Sequence, residues 1–254
     1  MRDLSINRVQ ELRSAFERNL DFYHEIGVLY NHVKKLAEAH HSGFAAEMRK
    51  LPTAHLAVTS NHRFYGALNQ EVMKAFLNDW DKVDRHAVIG ATGRLFMEND
   101  PRAQACDFKE FEDDNPTRWE IQKVVSWIKG YSTVIVYYPK YRNPFLQEPT
   151  TINITHAPEG RTAADHDVER YIFEPDLPLI HDFFTTQVQY ILIQRVMLET
   201  DLSRTATRLV RMDSAEDRSS ELYRDKQRQL RKDIQKQLDL QLFESIAGLE
   251  RWRT

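Results

Sequence analysis

From Leu179 to Ala247 the chain contains neither proline nor glycine, so nothing along that stretch obliges the backbone to leave a helix until Gly248 offers a stop. At 1.5 Å per residue, roughly 70 residues make a rod on the order of 100 Å long, against ~11–12 residues for an ordinary helix. Such a rod must run beyond its own domain, and the part that protrudes needs a partner for its apolar stripe. The stripe has two unequal halves. Ile180, Phe183, Phe184, Val188, Ile191, Leu192, Val196 and Leu198 predict a helix docked on a core. Beyond Leu202 the pattern thins to Ala206, Leu209 and Met212, and from Asp213 to Gln229 basic and acidic residues alternate, a face for water or a polar partner. It returns as Leu230, Ile234, Leu238, Leu242 and Ile246. Steps of four exceed the helical 3.6 and drift by ~40° each, so no single neighbouring helix can cover them all.

The other end of the chain has the same character. Val9, Leu12, Phe16, Leu20, Tyr23, Ile26, Tyr30, Val33 and Ala37 span 28 residues in eight steps, an average of 3.5, the heptad period of a left-handed coiled coil. Asp3 reads as its N-cap, and Gly27 costs about 1 kcal/mol against alanine. Two long helices that each need a mate are most simply satisfied by one another. The expectation is an intramolecular antiparallel coiled coil, with Leu12, Phe16, Leu230, Ile234 and Leu238 in one seam.

Between the helices the signals change to strands and turns. His55 to Thr59 and Ala87 to Ala91 read as short buried strands, Thr133 to Tyr138 as the strongest strand, and Thr150 to Thr155 as an edge strand. Leu68 to Trp80 and Thr117 to Lys129 read as helices, the second ended by Gly130. The alternation predicts an α/β layer structure with a largely parallel sheet. His156 to Val168, rich in Ala, Asp, Gly and Thr, reads as a loop or mobile connector. The resulting division is 1–45 for the first helix, 52–175 for a central α/β domain and 176–250 for the long helix.

Composition narrows the function. With 41% apolar residues the 254-residue chain can build a core, and no run approaches the ~20 apolar residues of a membrane span. Its N-terminus lacks the apolar centre of a signal peptide, which predicts a cytoplasmic protein. A formal net charge of −3 gives no general attraction to nucleic acid. The single cysteine, Cys106, reads as a free thiol. Ten histidines include His40-His41 and Asp165-His166-Asp167, but no metal-ligand spacing; loop solvation accounts for them best. The turn after His55–Thr59 has one glycine in Asn61 to Gly66, too few for a phosphate cradle, and Thr59-Ser60 lacks the G-x-S-x-G context of a nucleophile. No catalytic residue, cofactor site or metal site is expected.

Several stretches together resemble the gamma subunit of the F-type rotary ATP synthase. Tyr171-Ile172-Phe173-Glu174-Pro175-Asp176 is similar to that family's aromatic-Glu-Pro-Asp junction ahead of its last helix. Ala57 to Ser60 followed by Tyr65-Gly66-Ala67-Leu68-Asn69 resembles the strand and Gly-Gly-Leu-Asn turn that open its central domain, with Ala67 in place of the second glycine. Arg208 to Ala215 resembles Arg-Met-x-Ala-Met-x-x-Ala, and Glu244 to Gly248 the terminal Glu-Ile-x-x-Gly. The family's basic N-terminal signature has no counterpart, and its Arg-Gln pair survives only as Gln235 after Ile234.

The resemblance implies two terminal helices in an antiparallel coiled coil around a Rossmann-like α/β domain. It also implies a rotor that turns inside an alpha/beta-type ATPase hexamer, beside an epsilon-type small stalk subunit and over a membrane c-type ring. The location implied is the cytoplasmic side of the inner membrane, peripheral and in a complex. Expected partner contacts are Arg204, Arg208 and Arg211 low on the shaft, Gln235, Gln241 and Glu244 near the tip, and Tyr171 and Glu174 at the junction. The three arginines, at spacings of three and four, are expected on one exposed face. The rival reading is an α/β binding domain whose coiled-coil arm serves as a scaffold or dimeriser.

Overall fold

The computed structural model describes residues 2–40, 51–62, 65–112, 116–155 and 177–251. Two compact units result, Met1–Leu209 and Val210–Thr254.

The first unit is built on a five-stranded sheet of order β3-β2-β1-β4-β5. Its strands are β1 (Thr53–Val58), β2 (Arg85–Ile89), β3 (Cys106–Lys109), β4 (Thr133–Asn143) and β5 (Leu146–Asn153). The first four are mutually parallel, and β5 closes the edge antiparallel to β4 through a tight hairpin. Helices link the parallel strands, as a crossover requires: α2 (Leu68–Asn78), α3 (Ala91–Met97) and α4 (Arg118–Ile128). They alternate with α1 (Arg2–His40) at the start and α5 (Leu177–Arg251) at the end.

Strand alternation divides the core into two layers. Leu56, Val58, Ala87, Ile89, Val134, Val136 and Tyr138 face a layer formed by Ile121, Val124, Val125 and Ile128 of α4, by Val188, Ile191, Leu192, Ile193 and Val196 of α5, and by Tyr23 of α1. On the other face, Ala57, Val88 and Tyr137 meet Val72, Met73 and Phe76 of α2 and Met97 at the end of α3. α4 starts where its sequence says it should: Thr117 Oγ1 accepts from the Glu120 N–H at 3.4 Å, while Glu120 accepts from the Thr117 N–H at 2.7 Å.

Two short elements escaped the sequence pattern. β3 has four residues, only the first of them buried, so it carries no readable alternation. α3 has seven residues with Gly93 in the middle, which argues against a helix on propensity alone. Packing decides otherwise, because a Cβ on Gly93 would come within 2.5 Å of the Val88 side chain and 2.7 Å of Thr59 Oγ1. The strand expected over Ala87–Ala91 ends at Ile89, since Gly90 turns to φ +98° and a Cβ there would lie 2.4 Å from the Thr59 carbonyl oxygen.

α1 and α5 pair antiparallel. Arg8 reaches Asp201 at 3.5 Å, Asn19 donates to Gln194 at 3.4 Å, and the Arg195 guanidinium lies over the rings of Phe16 and Tyr23 at 5.7 and 5.9 Å. This corrects the expected seam. Leu12 is buried, but Leu230, Ile234 and Leu238 are 60%, 49% and 55% exposed. The register is the reason: with Arg8 opposite Asp201, Arg2 falls opposite position 207, which is 23 residues short of Leu230.

Two end signals also fail. α1 starts at Arg2, so Asp3 lies inside its first turn, and α5 passes through Gly248 to Arg251. A helical glycine costs only about 1 kcal/mol, and Gly248 sits among good helix formers. The packing of Tyr30, Val33 and Ala37, and the segment His156 to Val168, lie outside the described residues. The described residues of the second unit are all helical, and every residue from Arg211 to Ile246 is exposed.

Candidate functional site

In a doubly wound sheet, ligands bind beyond the carboxyl ends of the strands where the strand order reverses. Here that point lies between β1, which leads to β2 on one side, and β4 on the other. Ala57 pairs with Tyr137, which sets Pro139 level with Thr59. At that level α5 is bolted to the sheet: Ser203 Oγ donates to the Pro139 carbonyl at 3.0 Å, and Thr207 Oγ1 donates to Gln147 Oε1 on β5 at 3.0 Å. Tyr65, buried in the turn after β1, receives two arginines from α5. The Arg208 guanidinium stands 4.9 Å from its ring centre and Nη2 donates to the phenol oxygen at 2.6 Å, while Arg204 lies over the same ring at 6.0 Å. The turn itself depends on Gly66, at φ +60°.

The hydroxyls at this end are committed to structure. Thr59 Oγ1 donates to the Ile89 carbonyl at 2.6 Å and accepts from the Gly93 N–H at 3.0 Å. Ser60 Oγ donates to the His62 carbonyl at 2.5 Å and accepts from Asn69 Nδ2 at 2.7 Å. A nucleophile needs a base within reach, and the partners of these oxygens are carbonyls, amides and, for Ser60, the Thr92 hydroxyl at 3.4 Å, none of which is a base. Among the described residues no group of three His, Cys, Asp or Glu side chains is arranged to hold a metal ion. Cys106 is a buried free thiol whose pKa burial pushes up to about 12, so it is not a reactive thiolate.

The titratable groups that are perturbed lie in the packing. His55 and His86 are core residues, so loop solvation, the general account given for the ten histidines, does not hold at these two positions. Their positions on two adjacent parallel strands, paired in register, bring the rings to 6.2 Å. His86 lies flat on Trp80 at 3.6 Å. Burial, and then the neighbouring His86, lowers the His55 pKa to about 4; burial also lowers that of His86. On α5, Glu199 accepts from the Tyr138 hydroxyl at 3.0 Å, and its pKa is raised by burial against the opposing pull of that hydrogen bond, Arg195 and Lys140.

The expected partner contacts separate into three groups. Arg204 is buried, at 3% exposure, and Arg208 is half-buried on Tyr65, so only Arg211 of that trio is exposed. The expected single exposed face is therefore not formed, because α5 still lies on the sheet at Arg204. Gln235, Gln241 and Glu244 are all exposed. Tyr171 and Glu174 lie outside the described residues. Sequence reasoning missed Tyr65 as the residue that gathers the arginines; its place just before a glycine turn after a strand was the available signal.

Comparison with known proteins follows the same lines. A family model described as ATP synthase matches residues 1–251. The curated ATP synthase gamma chain of Staphylococcus saprophyticus is 27% identical over 214 residues, covering 77% of this chain and 72% of the relative. That of Psychrobacter arcticus is 26% identical over 213 residues, covering 76% and 72%. Among solved structures, a chain of the Euglena gracilis mitochondrial ATP synthase (OSCP/F1/c-ring, rotational state 3) aligns with a TM-score of 0.61 at 11% identity, covering 96% of this chain and 94% of that one. A chain of the Tetrahymena thermophila mitochondrial ATP synthase (central stalk/c-ring) aligns at 0.60 with 14% identity, covering 85% and 97%. At these identities the structural likeness speaks for the fold.

Proposed function

Because the chain belongs to the ATP synthase gamma-chain family, matched across residues 1–251, we propose that it works as the central-stalk rotor of a rotary ATPase. Its partners are an alpha/beta-type hexamer around the outer helix, an epsilon-type small stalk subunit and a membrane c-type ring. No helix among the described residues is long and apolar enough to cross a membrane, so the chain is peripheral within that assembly. The side we assign is the cytoplasmic face of the inner membrane.

The observation that carries the reading is the second unit. Leu222, Tyr223, Leu230, Ile234, Leu238, Leu240, Leu242, Phe243 and Ile246 are all large, apolar and exposed on one helix, and no single face contains them. A helix–helix partner buries a stripe of about 100°, whereas a surrounding ring can bury a stripe that winds. Partner discrimination requires contacts that differ between states of the ring, since only differential affinity shifts a conformational equilibrium. We assign those contacts to Arg211 low on the exposed helix and to Gln235, Gln241 and Glu244 further along. Arg204 and Arg208 act indirectly, by holding the inner part of α5 on Tyr65.

Copurification from the native membrane tests the assignment. The chain should travel with nucleotide-binding subunits present in more copies than itself; recovery as a lone dimer would favour the scaffold reading instead. In the reassembled complex, Gln235→Ala/Gln241→Ala/Glu244→Ala should lower ion pumping per ATP hydrolysed while leaving the fold unchanged. Unaltered coupling would show that these three residues are merely solvated.

A further inference from the structure

Beside the rotor surface, the central domain carries a second feature that the assignment does not use. α4 and α5 stand apart on the sheet and leave a groove of about 780 Å³ between them, lined among others by Arg118, Trp119, Lys123, Lys129, Tyr190 and Gln194. Its chemistry follows from the phase of α4. At 100° per residue, positions 118, 119, 122, 123, 126 and 129 fall within about 140° of one another, and positions 120, 121, 124, 125 and 128 take the opposite arc. The second set is buried under the helix. Glu120, the helix's one acid, belongs to that inner arc, where it is held by the Thr117 cap and the Glu112 N–H at 2.8 Å. The outer arc is thus left with cations and no carboxylate.

Among the described residues that line it, Arg118, Lys123 and Lys129 are positively charged and none is negative, in a chain whose net charge is −3. At the lower end Lys129 is met by Asp182 at 3.4 Å, which leaves Arg118 and Lys123 as the main source of positive field. Trp119 is 65% exposed, and the Lys123 ammonium already sits 5.4 Å from its ring centre. An exposed tryptophan beside a basic groove is an anchor of the kind found at protein contacts rather than in a solvated helix face.

We propose that the α4–α5 groove docks an acidic peptide segment of a partner protein, its carboxylates set against Arg118 and Lys123 and an apolar side chain against Trp119. Charge complementarity selects the class of occupant. Shape selects a chain segment over a lipid surface, because a groove whose described walls are helical admits a strand or helix but not the plane of a bilayer. The inference stands apart from the rotor assignment, since it concerns a different face and its test uses no ATPase activity.

The test is fluorescence anisotropy of a labelled peptide of glutamates interrupted by one phenylalanine, titrated with the full chain. The full chain should bind it in a salt-sensitive manner, and Arg118→Glu/Lys123→Glu should weaken binding roughly tenfold or more. Trp119→Ala, which keeps every charge, should weaken it by a smaller factor. Circular dichroism confirms that each variant is folded. Equal binding by the charge-reversed variant overturns the proposal, and so does binding to phosphatidylglycerol vesicles but not to the peptide. In the assembled complex, a photo-crosslinking side chain at Gln122 should join an acidic stretch of another subunit; a link to another part of this chain, or to lipid alone, also overturns it.

Discussion

One helix, α5, contains two regions of opposite physical character. Between Val188 and Ala206 its residues Ile191, Leu192, Ile193, Val196, Met197 and Leu202 are buried against the sheet and α1. From Arg211 to Ile246 every residue is exposed, although leucines and isoleucines recur there too. The backbone and its hydrogen bonds are the same in both. What differs is whether the stripe has anything to lie on, and therefore where the stability of the helix comes from. The inner region is held by packing, and the outer one by propensity and local charge pairs such as Arg228–Asp225 at 3.6 Å. A surface destined for a partner has to be built this second way, because it must be stable before the partner arrives.

The contrast is sharpest in core truncations. Ile193→Ala, at a position fully buried in the isolated chain, should cost about 2–5 kcal/mol, while Ile234→Ala on the outer helix should change stability by less than about 0.5 kcal/mol. Urea unfolding of both variants measures it. Comparable losses would break the comparison, and would mean that the outer stripe is already packed without a partner.

Acid should discriminate between the regions next. His55 has a folded-state pKa near 4, below its unfolded value, so the unfolded chain takes up the proton first. Its contribution is fully present above the ordinary imidazole value of about 6.5 and is lost as the pH falls through 4, a change on the order of 3 kcal/mol. The difference in stability between the native chain and His55→Leu, followed against pH, isolates that residue from the oppositely shifted Glu199. A difference that does not vary between pH 7 and 4 would remove the histidine pair from the account of the core.

The boundary between the regions is set by Tyr65. Tyr65→Phe keeps the ring under Arg204 and Arg208 but deletes the 2.6 Å hydrogen bond from Arg208, and should cost about 1.5 kcal/mol. Arg211→Ala, one turn further out, should be neutral within about 0.5 kcal/mol in the free chain. If the two variants behave alike, the docked region ends before Arg208.

The smallest effect has the opposite sign. Gly27 of α1 is buried, yet a Cβ there would meet nothing within 4 Å. Gly27→Ala should therefore stabilise the chain by roughly 0.5–1 kcal/mol, through propensity alone. A loss on thermal unfolding would mean that the neighbouring helices close over that position more tightly than its backbone geometry indicates.

Much of this architecture is legible in the residues. The Pro- and Gly-free run after Leu179 determines one long helix, the heptad spacing from Val9 determines another, and β-branched runs such as Thr133 to Tyr138 determine the central strands, because each rests on local periodicity and backbone preference. The winding of Leu230 to Ile246 around its helix, and so the need for an encircling partner, is likewise a matter of counting residues. Which parts of the two helices meet is not. That register was decided when Ile191, Leu192, Ile193 and Val196 docked on the sheet and brought Asp201 opposite Arg8, leaving the outer leucines uncovered. Tertiary structure alone decided that Arg204 is buried, that His55 and His86 face each other, and that Gly93 belongs in a helix. Each of those outcomes depends on a neighbour far away in the chain, and periodicity carries no information about distant neighbours.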